Sequence, residues 1–170
     1  MSWNIAPECI SLVILGIIWV YARKGSHLPT LKNRVFQGCL LVTFCAMASN
    51  ILSTLLLYKS QVVPLWLTNI VTTVYYLLTP LMGLAYFLYA VSVIYPEGRQ
   101  LRRIVLLGVV PAVGYAVLVL INPFTGLLFY LDRQMGYVRG PWVMVTYLLF
   151  YLYCVASIAV TVLGLSLIHI

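Results

Sequence analysis

The sequence predicts an all-α fold: a polytopic transmembrane bundle of five helices, N-terminus outside and C-terminus inside, with a short extracytoplasmic hairpin-like loop between the fourth and fifth helices. Three observations predict it. The chain has 170 residues of which 64% are hydrophobic and 8% charged, against about 25% charged in soluble domains; its mean hydropathy is +1.06. The apolar residues gather into runs that each reach or approach the ~20 residues needed to cross ~30 Å of hydrocarbon. Finally, Lys and Arg concentrate in alternate connections between the runs.

The first run covers roughly Ile5 to Ala22. Its positive charges, Arg23 and Lys24, follow the apolar stretch instead of preceding it, and no A-x-A site follows. It reads as a retained helix and not a cleavable signal peptide. The second run covers roughly Val35 to Tyr58 and the third Leu65 to Tyr95. The third is overlong, which implies tilt or a helix that starts after Pro64 and protrudes at one end. The fourth covers roughly Ile104 to Ile121 and the fifth Trp142 to Gly164. Spanning segments must satisfy their backbones internally, so all five read as helices. Pro80 and Pro111 each remove one backbone donor from theirs.

The connection "RKGSHLPTLKNR" carries Arg23, Lys24, Lys32 and Arg34, and "PEGRQLRR" carries Arg99, Arg102 and Arg103. The N-terminal tail has no Lys or Arg, and the second connection has only Lys59. The positive-inside rule then places the first and third connections in the cytoplasm. Trp66 and Trp142 open helices at the outer face, and Trp3 and Trp19 fit an interfacial belt. Net charge is +7; because the basic residues flank apolar runs, membrane topology and lipid headgroups account for them and nucleic-acid binding is excluded.

Catalytic equipment is not visible. The acids Glu8, Glu97 and Asp132 lie in or beside loops and form no pair. No spanning segment has an ionisable acid or base at its centre, which argues against a pump, an ion-coupled transporter or a voltage sensor. His27 and His169 have no metal-ligand partner at useful spacing. Cys9, Cys39, Cys45 and Cys154 form no CxxC pair, so neither a disulfide framework nor a metal site is expected. The expectation is no enzyme activity, no metal and no cofactor within this chain. No internal repeat is visible.

Two groups of residues are candidates for binding. Within the membrane, Asn50 and Thr54 of the second helix lie at i,i+4, as do Ser49 and Ser53 beside them. Tyr76 and Thr79 belong to the third helix; Tyr147, Tyr151 and Cys154 follow i, i+4, i+7 on the fifth. These could face a ligand cavity or serve helix packing, where such polar contacts contribute ~0.6 kcal/mol each. The second group lies in "NPFTGLLFYLDRQMGYVRGPW". Asn122-Pro123 is expected to close the fourth helix, and "FTG" reads as a turn. "LLFYL" and "YVR" are β-prone runs joined by "DRQMG", in which Gly136 supplies a positive-φ turn position. The segment is either a lid whose Asn122, Pro123, Asp132, Arg133, Tyr137, Arg139 and Trp142 contact a ligand, or a connector with a weak exposed ion pair of Asp132 with Arg133 or Arg139.

The stretches "WNIAPE", "LPTLKNRVFQGCLLVTFCAM", "NILSTLL", "VTTVYYLLTPLMGLAYFLY", "NPFTGLLF" and "GYVRGPWVMVTYLLFYLYCVASI" resemble the membrane-embedded N-terminal part of bacterial GGDEF-domain proteins, the diguanylate cyclase group. The resemblance spans nearly all of residues 1 to 164. It implies a sensory input domain in the bacterial inner membrane, about two further membrane helices, and a cytoplasmic GGDEF domain that makes cyclic di-GMP from two GTP. It also implies a homodimer through that output domain, and an unidentified small-molecule or membrane signal. A weaker likeness is to the seven-helix input region of sensor histidine kinases, although Phe124 and Thr125 follow Asn-Pro here where that group commonly has a histidine. No catalytic or metal residue carries over. A small transporter or membrane scaffold is the reading from a different class.

The inward topology predicts Lys or Arg after Gly164, yet Leu165, Ser166, Leu167, Ile168, His169 and Ile170 follow. That hexapeptide is encoded by CTG TCT CTT ATA CAC ATC, which resembles the transposase adapter end of sequencing libraries. Residues 165–170 are therefore expected to be non-native and 1–164 to form the membrane domain.

Overall fold

The computed structural model describes residues 6–25, 30–59, 63–96, 98–132 and 136–168. The elements in chain order are α1 (Ala6–Gly25), α2 (Leu31–Tyr58), α3 (Leu65–Ile94), α4 (Arg99–Thr125), β1 (Phe129–Asp132), β2 (Gly136–Arg139) and α5 (Val143–Ile168). All five helices contain a stretch long and apolar enough to cross a membrane. The N-terminal tail with Trp3, His27, Glu97, Arg133 and His169 lie outside the described residues.

Four of the five helices, all but α3, are longer than their apolar runs because a helix does not stop where hydropathy does. α2 begins at Leu31, where the Thr30 hydroxyl oxygen accepts the Asn33 N–H at 3.3 Å. That cap satisfies a first-turn donor and carries Lys32, Asn33 and Arg34 into the helix ahead of Val35. α4 likewise takes in Arg99, Arg102 and Arg103 before its apolar run.

At its other end α4 corrects the expectation that Asn122-Pro123 would close it. The helix runs through Pro123 to Thr125 and ends at Gly126, whose φ of 63° is left-handed and whose N–H bonds the Asn122 carbonyl at 2.8 Å. Proline's avoidance of a preceding helical residue is a bias, not a prohibition. What stops the chain is the glycine, the residue best able to adopt the left-handed cap. α3 does begin directly after Pro64, and its 30 residues run about 45 Å. Pro80 and Pro111 sit inside continuous helices.

α3 is the central element. It packs against α2, α4 and α5, while α1 packs chiefly against α2. The buried positions Thr68, Thr72, Tyr76, Pro80, Leu84, Phe87 and Val91 recur every three or four residues along it, the period of one helix face. Apolar side chains cover the outside of the bundle, among them Leu107, Val110, Phe124, Leu148 and Val155, as a lipid-facing surface requires. Cross-helix hydroxyls fasten the inside. Ser53 and Thr72 meet at 3.0 Å between α2 and α3, Tyr115 and Thr146 at 2.7 Å between α4 and α5, and the Tyr153 hydroxyl donates to the Gly108 carbonyl at 2.6 Å.

Two hydrophobic clusters divide the core. One, near the hairpin, joins Tyr76, Tyr115, Val119, Leu128, Phe129 and Val143. The other, towards the opposite end, joins Leu84, Phe87, Val91, Leu101, Ala112 and Tyr153. The Lys32 ammonium donates to the Val93 carbonyl at 3.3 Å, so the start of α2 and the end of α3 share that opposite end.

Candidate functional site

The expected hairpin is present. β1 and β2 pair antiparallel with Phe129 opposite Arg139 and Asp132 opposite Gly136. Gly136 has a φ of 72°, the left-handed conformation that glycine adopts without a Cβ penalty. The same register puts Asp132 and Arg139 at opposite ends of the ladder, and Arg133, the other partner considered from sequence, lies outside the described residues.

The hairpin is built into the bundle, not laid on it. Leu128 and Phe129 are 0% and 1% exposed. Asn122, buried in the last turns of α4, accepts the Leu128 N–H at 2.7 Å and the Phe129 N–H at 3.3 Å with its amide oxygen. Its amide nitrogen donates to the Phe129 carbonyl at 3.0 Å. A buried amide with both ends engaged avoids the desolvation penalty of an orphaned polar group. At the hairpin base, Gly140 N–H bonds Leu128 and Trp142 N–H bonds Leu127, at 2.8 and 2.9 Å. A Cβ at Gly140 would overlap the Leu127 carbonyl.

Aromatic rings carry the contact to α3. Phe129 stacks on Tyr76 with centroids 4.9 Å apart and on Tyr137 at 6.2 Å. The Tyr76 and Tyr137 hydroxyls hydrogen-bond to one another. Burial raises the Tyr137 hydroxyl above the ordinary tyrosine pKa, against smaller lowering influences from its hydrogen bond to Tyr76 and from the Arg139 charge.

Beneath this contact lies a cavity of about 90 Å³, lined by Asn50, Ser53, Thr54 and Leu57 of α2, Thr72, Tyr75 and Tyr76 of α3, Tyr137 and Arg139 of β2, and Tyr147 of α5. It unites residues from both sequence candidate groups: Asn50, Thr54, Tyr76 and Tyr147 from the helices, Tyr137 and Arg139 from the loop. The other candidates lie elsewhere. Thr79 bonds back to the Tyr75 carbonyl at 2.8 Å, and Tyr151 is 62% exposed on the outside of α5. Asn122 is committed to the hairpin, Trp142 is 51% exposed at the foot of α5, Asp132 is at the far end of the ladder, and Arg133 is outside the described residues.

Pro123 borders a larger, open cleft of about 520 Å³ between the start of α3, the end of α4 and β1. Among the described residues no charged side chain lines that cleft, and its Asn122 is already engaged. Ser53, noted from sequence beside Asn50 and Thr54, also lines the cavity, as do Thr72 and Tyr75; helical phase relates Thr72 to Tyr76 and Tyr75 to Thr79 at i,i+4, but does not reveal which helix faces them. Among the described residues, two buried side-chain oxygens have no hydrogen-bond partner, one on Glu8 and one on Thr68. Compared with protein-family models, curated proteins and solved structures, the chain matches none.

Proposed function

We propose that this chain is the membrane-embedded input module of a bacterial signalling protein. Its N-terminus and hairpin face outward, and its basic connections face the cytoplasm of the inner membrane. The output it regulates is a GGDEF domain encoded beyond Gly164, acting as a homodimer. The observation that carries the reading is the shared cavity: one small space is walled by α2, α3, α5 and the hairpin strand β2. A ligand there touches four elements at once, so its binding energy depends on how they are arranged. A signal moves an equilibrium only through such a difference in affinity between two arrangements. The sequence resemblance supports the choice of output, and the alternation of basic connections supports the orientation.

The test is to sequence the natural gene downstream of Gly164, then measure cyclic di-GMP in cells producing the full-length protein and its Arg139→Ala variant. The reading expects a GG(D/E)EF segment and an altered nucleotide level at unchanged membrane expression. A phosphoacceptor-histidine box downstream would reassign the output to a kinase. A stop codon near Ile170, or a second set of helices alone, would sink the input reading.

A further inference from the structure

We propose that the cavity beneath the hairpin binds a small carboxylate of two or three carbons, held by the Arg139 guanidinium and the surrounding hydroxyls and amide. The inference names a ligand class for the input reading and rests on that reading for its consequence, not for the binding itself.

The lining decides the charge. Among the described residues it has one cation, Arg139, and no carboxylate, while one acid, Glu8, acts electrostatically on Tyr75 from outside the lining. Its other polar groups are the Asn50 amide and the hydroxyls of Ser53, Thr54, Thr72, Tyr75, Tyr76, Tyr137 and Tyr147. Tyr76 with Tyr137, and Ser53 with Thr72, are each already paired. One hydroxyl proton satisfies each pair, so each retains a second proton to donate. With the guanidinium fork, Asn50, Thr54, Tyr75 and Tyr147, the cavity is rich in donors around one positive charge. That composition matches a carboxylate, which only accepts and which an Arg fork can engage bidentately. A neutral amide of the same size would forgo the charge-assisted bond.

The volume decides the size. A cavity of about 90 Å³ is well below the ~150 Å³ of a cavity that holds a benzene ring. It suits acetate or propionate better than benzoate or a phospholipid headgroup with its glycerol. Arg139 is exposed while Ser53 and Thr72 are buried, so the charge stands at the mouth and the hydroxyls at the floor. A carboxylate at the mouth with its methyl or ethyl group turned towards Leu57 fits both.

The experiment is thermal unfolding of the purified full chain in nonionic detergent without added phospholipid. Sodium acetate and propionate at ~50 mM are compared with chloride, acetamide and benzoate at equal concentration and ionic strength. Acetate and propionate are expected to raise the unfolding midpoint in a concentration-dependent manner, and the other three to leave it where chloride sets it. Arg139→Gln is expected to weaken the apparent affinity about tenfold or more. Asn50→Leu fills the cavity with an apolar side chain and should abolish the shift, which provides a second variant if the first does not fold. A response to acetate no larger than to chloride, an equal response to benzoate, or an undiminished response in both variants would overturn the proposal. Because the readout is binding to this chain alone, it can fail while the downstream output domain is found, or succeed while that domain is not.

Discussion

Asn122 holds the backbone of Phe129 from both sides: its amide oxygen takes the Phe129 N–H and its amide nitrogen gives to the Phe129 carbonyl. Through this one side chain, the end of α4 fixes where the hairpin starts and therefore where Tyr137 and Arg139 stand over the cavity.

Asn122→Ala should consequently act on the hairpin first. It leaves the Leu128 N–H and the Phe129 carbonyl in an apolar cluster without their partner, and each such buried group costs ~1–3 kcal/mol. Amide exchange at Leu128 and Phe129 is expected to accelerate strongly, while amides in the middle of α3 keep their protection. Exchange that rises equally in both places would mean that Asn122 stabilises the bundle as a whole and does not anchor the hairpin.

Much of this arrangement was legible in sequence, for identifiable reasons. "DRQMG" between two β-prone runs specifies a turn because few residues but glycine accept the conformation Gly136 adopts, φ 72°. Pro64 marks the start of α3 because proline cannot donate into a preceding turn. The ends of α4 were not legible from hydropathy, which registers the hydrocarbon-spanning part and is blind to solvated turns such as Arg99–Arg103. Nor was Gly126, not Asn-Pro, recognisable as the terminator. The site was legible in halves. Asn50 and Tyr137 are far apart in the chain and belong to different patterns, one helical and one turn-borne. Only the packing of β2 over α2 and α3 puts them on one cavity.

The Tyr76–Tyr137 contact makes the hairpin sensitive to alkaline pH. Tyr137 is raised above its ordinary value, chiefly by burial, so the folded hairpin keeps its proton where the unfolded chain has lost it. The sign follows from proton counting. Below the unfolded tyrosine pKa of about 10 the contribution is complete. As pH rises from there through the raised folded value, it is lost. Tyr137→Phe removes this titration, so the difference in stability between the parent and the variant should shrink above pH ~10. A difference that stays constant to the highest pH at which the protein unfolds reversibly would refute the linkage.

Two hairpin glycines should fail in different degrees. Gly136→Ala forces a Cβ into a left-handed turn, a penalty of ~1–2 kcal/mol. Gly140→Ala meets the Leu127 carbonyl, which is held in place by the Trp142 N–H. Backbone cannot swing aside as a side chain can, so Gly140→Ala should destabilise more than Gly136→Ala in detergent unfolding. Gly136→Asn, a residue that tolerates the left-handed region, should recover part of the first loss. The reverse ranking of Gly136→Ala and Gly140→Ala would contradict the hairpin geometry.

α3 and α5 approach closely at Gly83, where an added Cβ would stand 3.1 Å from both the Phe150 carbonyl oxygen and the Tyr153 Cβ. Small residues at such seams let helix backbones approach, which is how helices associate where lipid gives no hydrophobic drive. Gly83→Ala needs a shift of a few tenths of an ångström and should lower stability modestly. Gly83→Leu has no such accommodation: α5 must move away from α3, carrying Tyr147 off the cavity wall and loosening the Tyr153 bond to Gly108. Distances between spin labels on the two helices should lengthen in Gly83→Leu and hold in Gly83→Ala. If the cavity is where signal enters, carboxylate stabilisation should survive Gly83→Ala and vanish in Gly83→Leu, even though neither substitution touches the lining. Retention of full binding in Gly83→Leu alongside a measured separation would show that α5 is dispensable to the site.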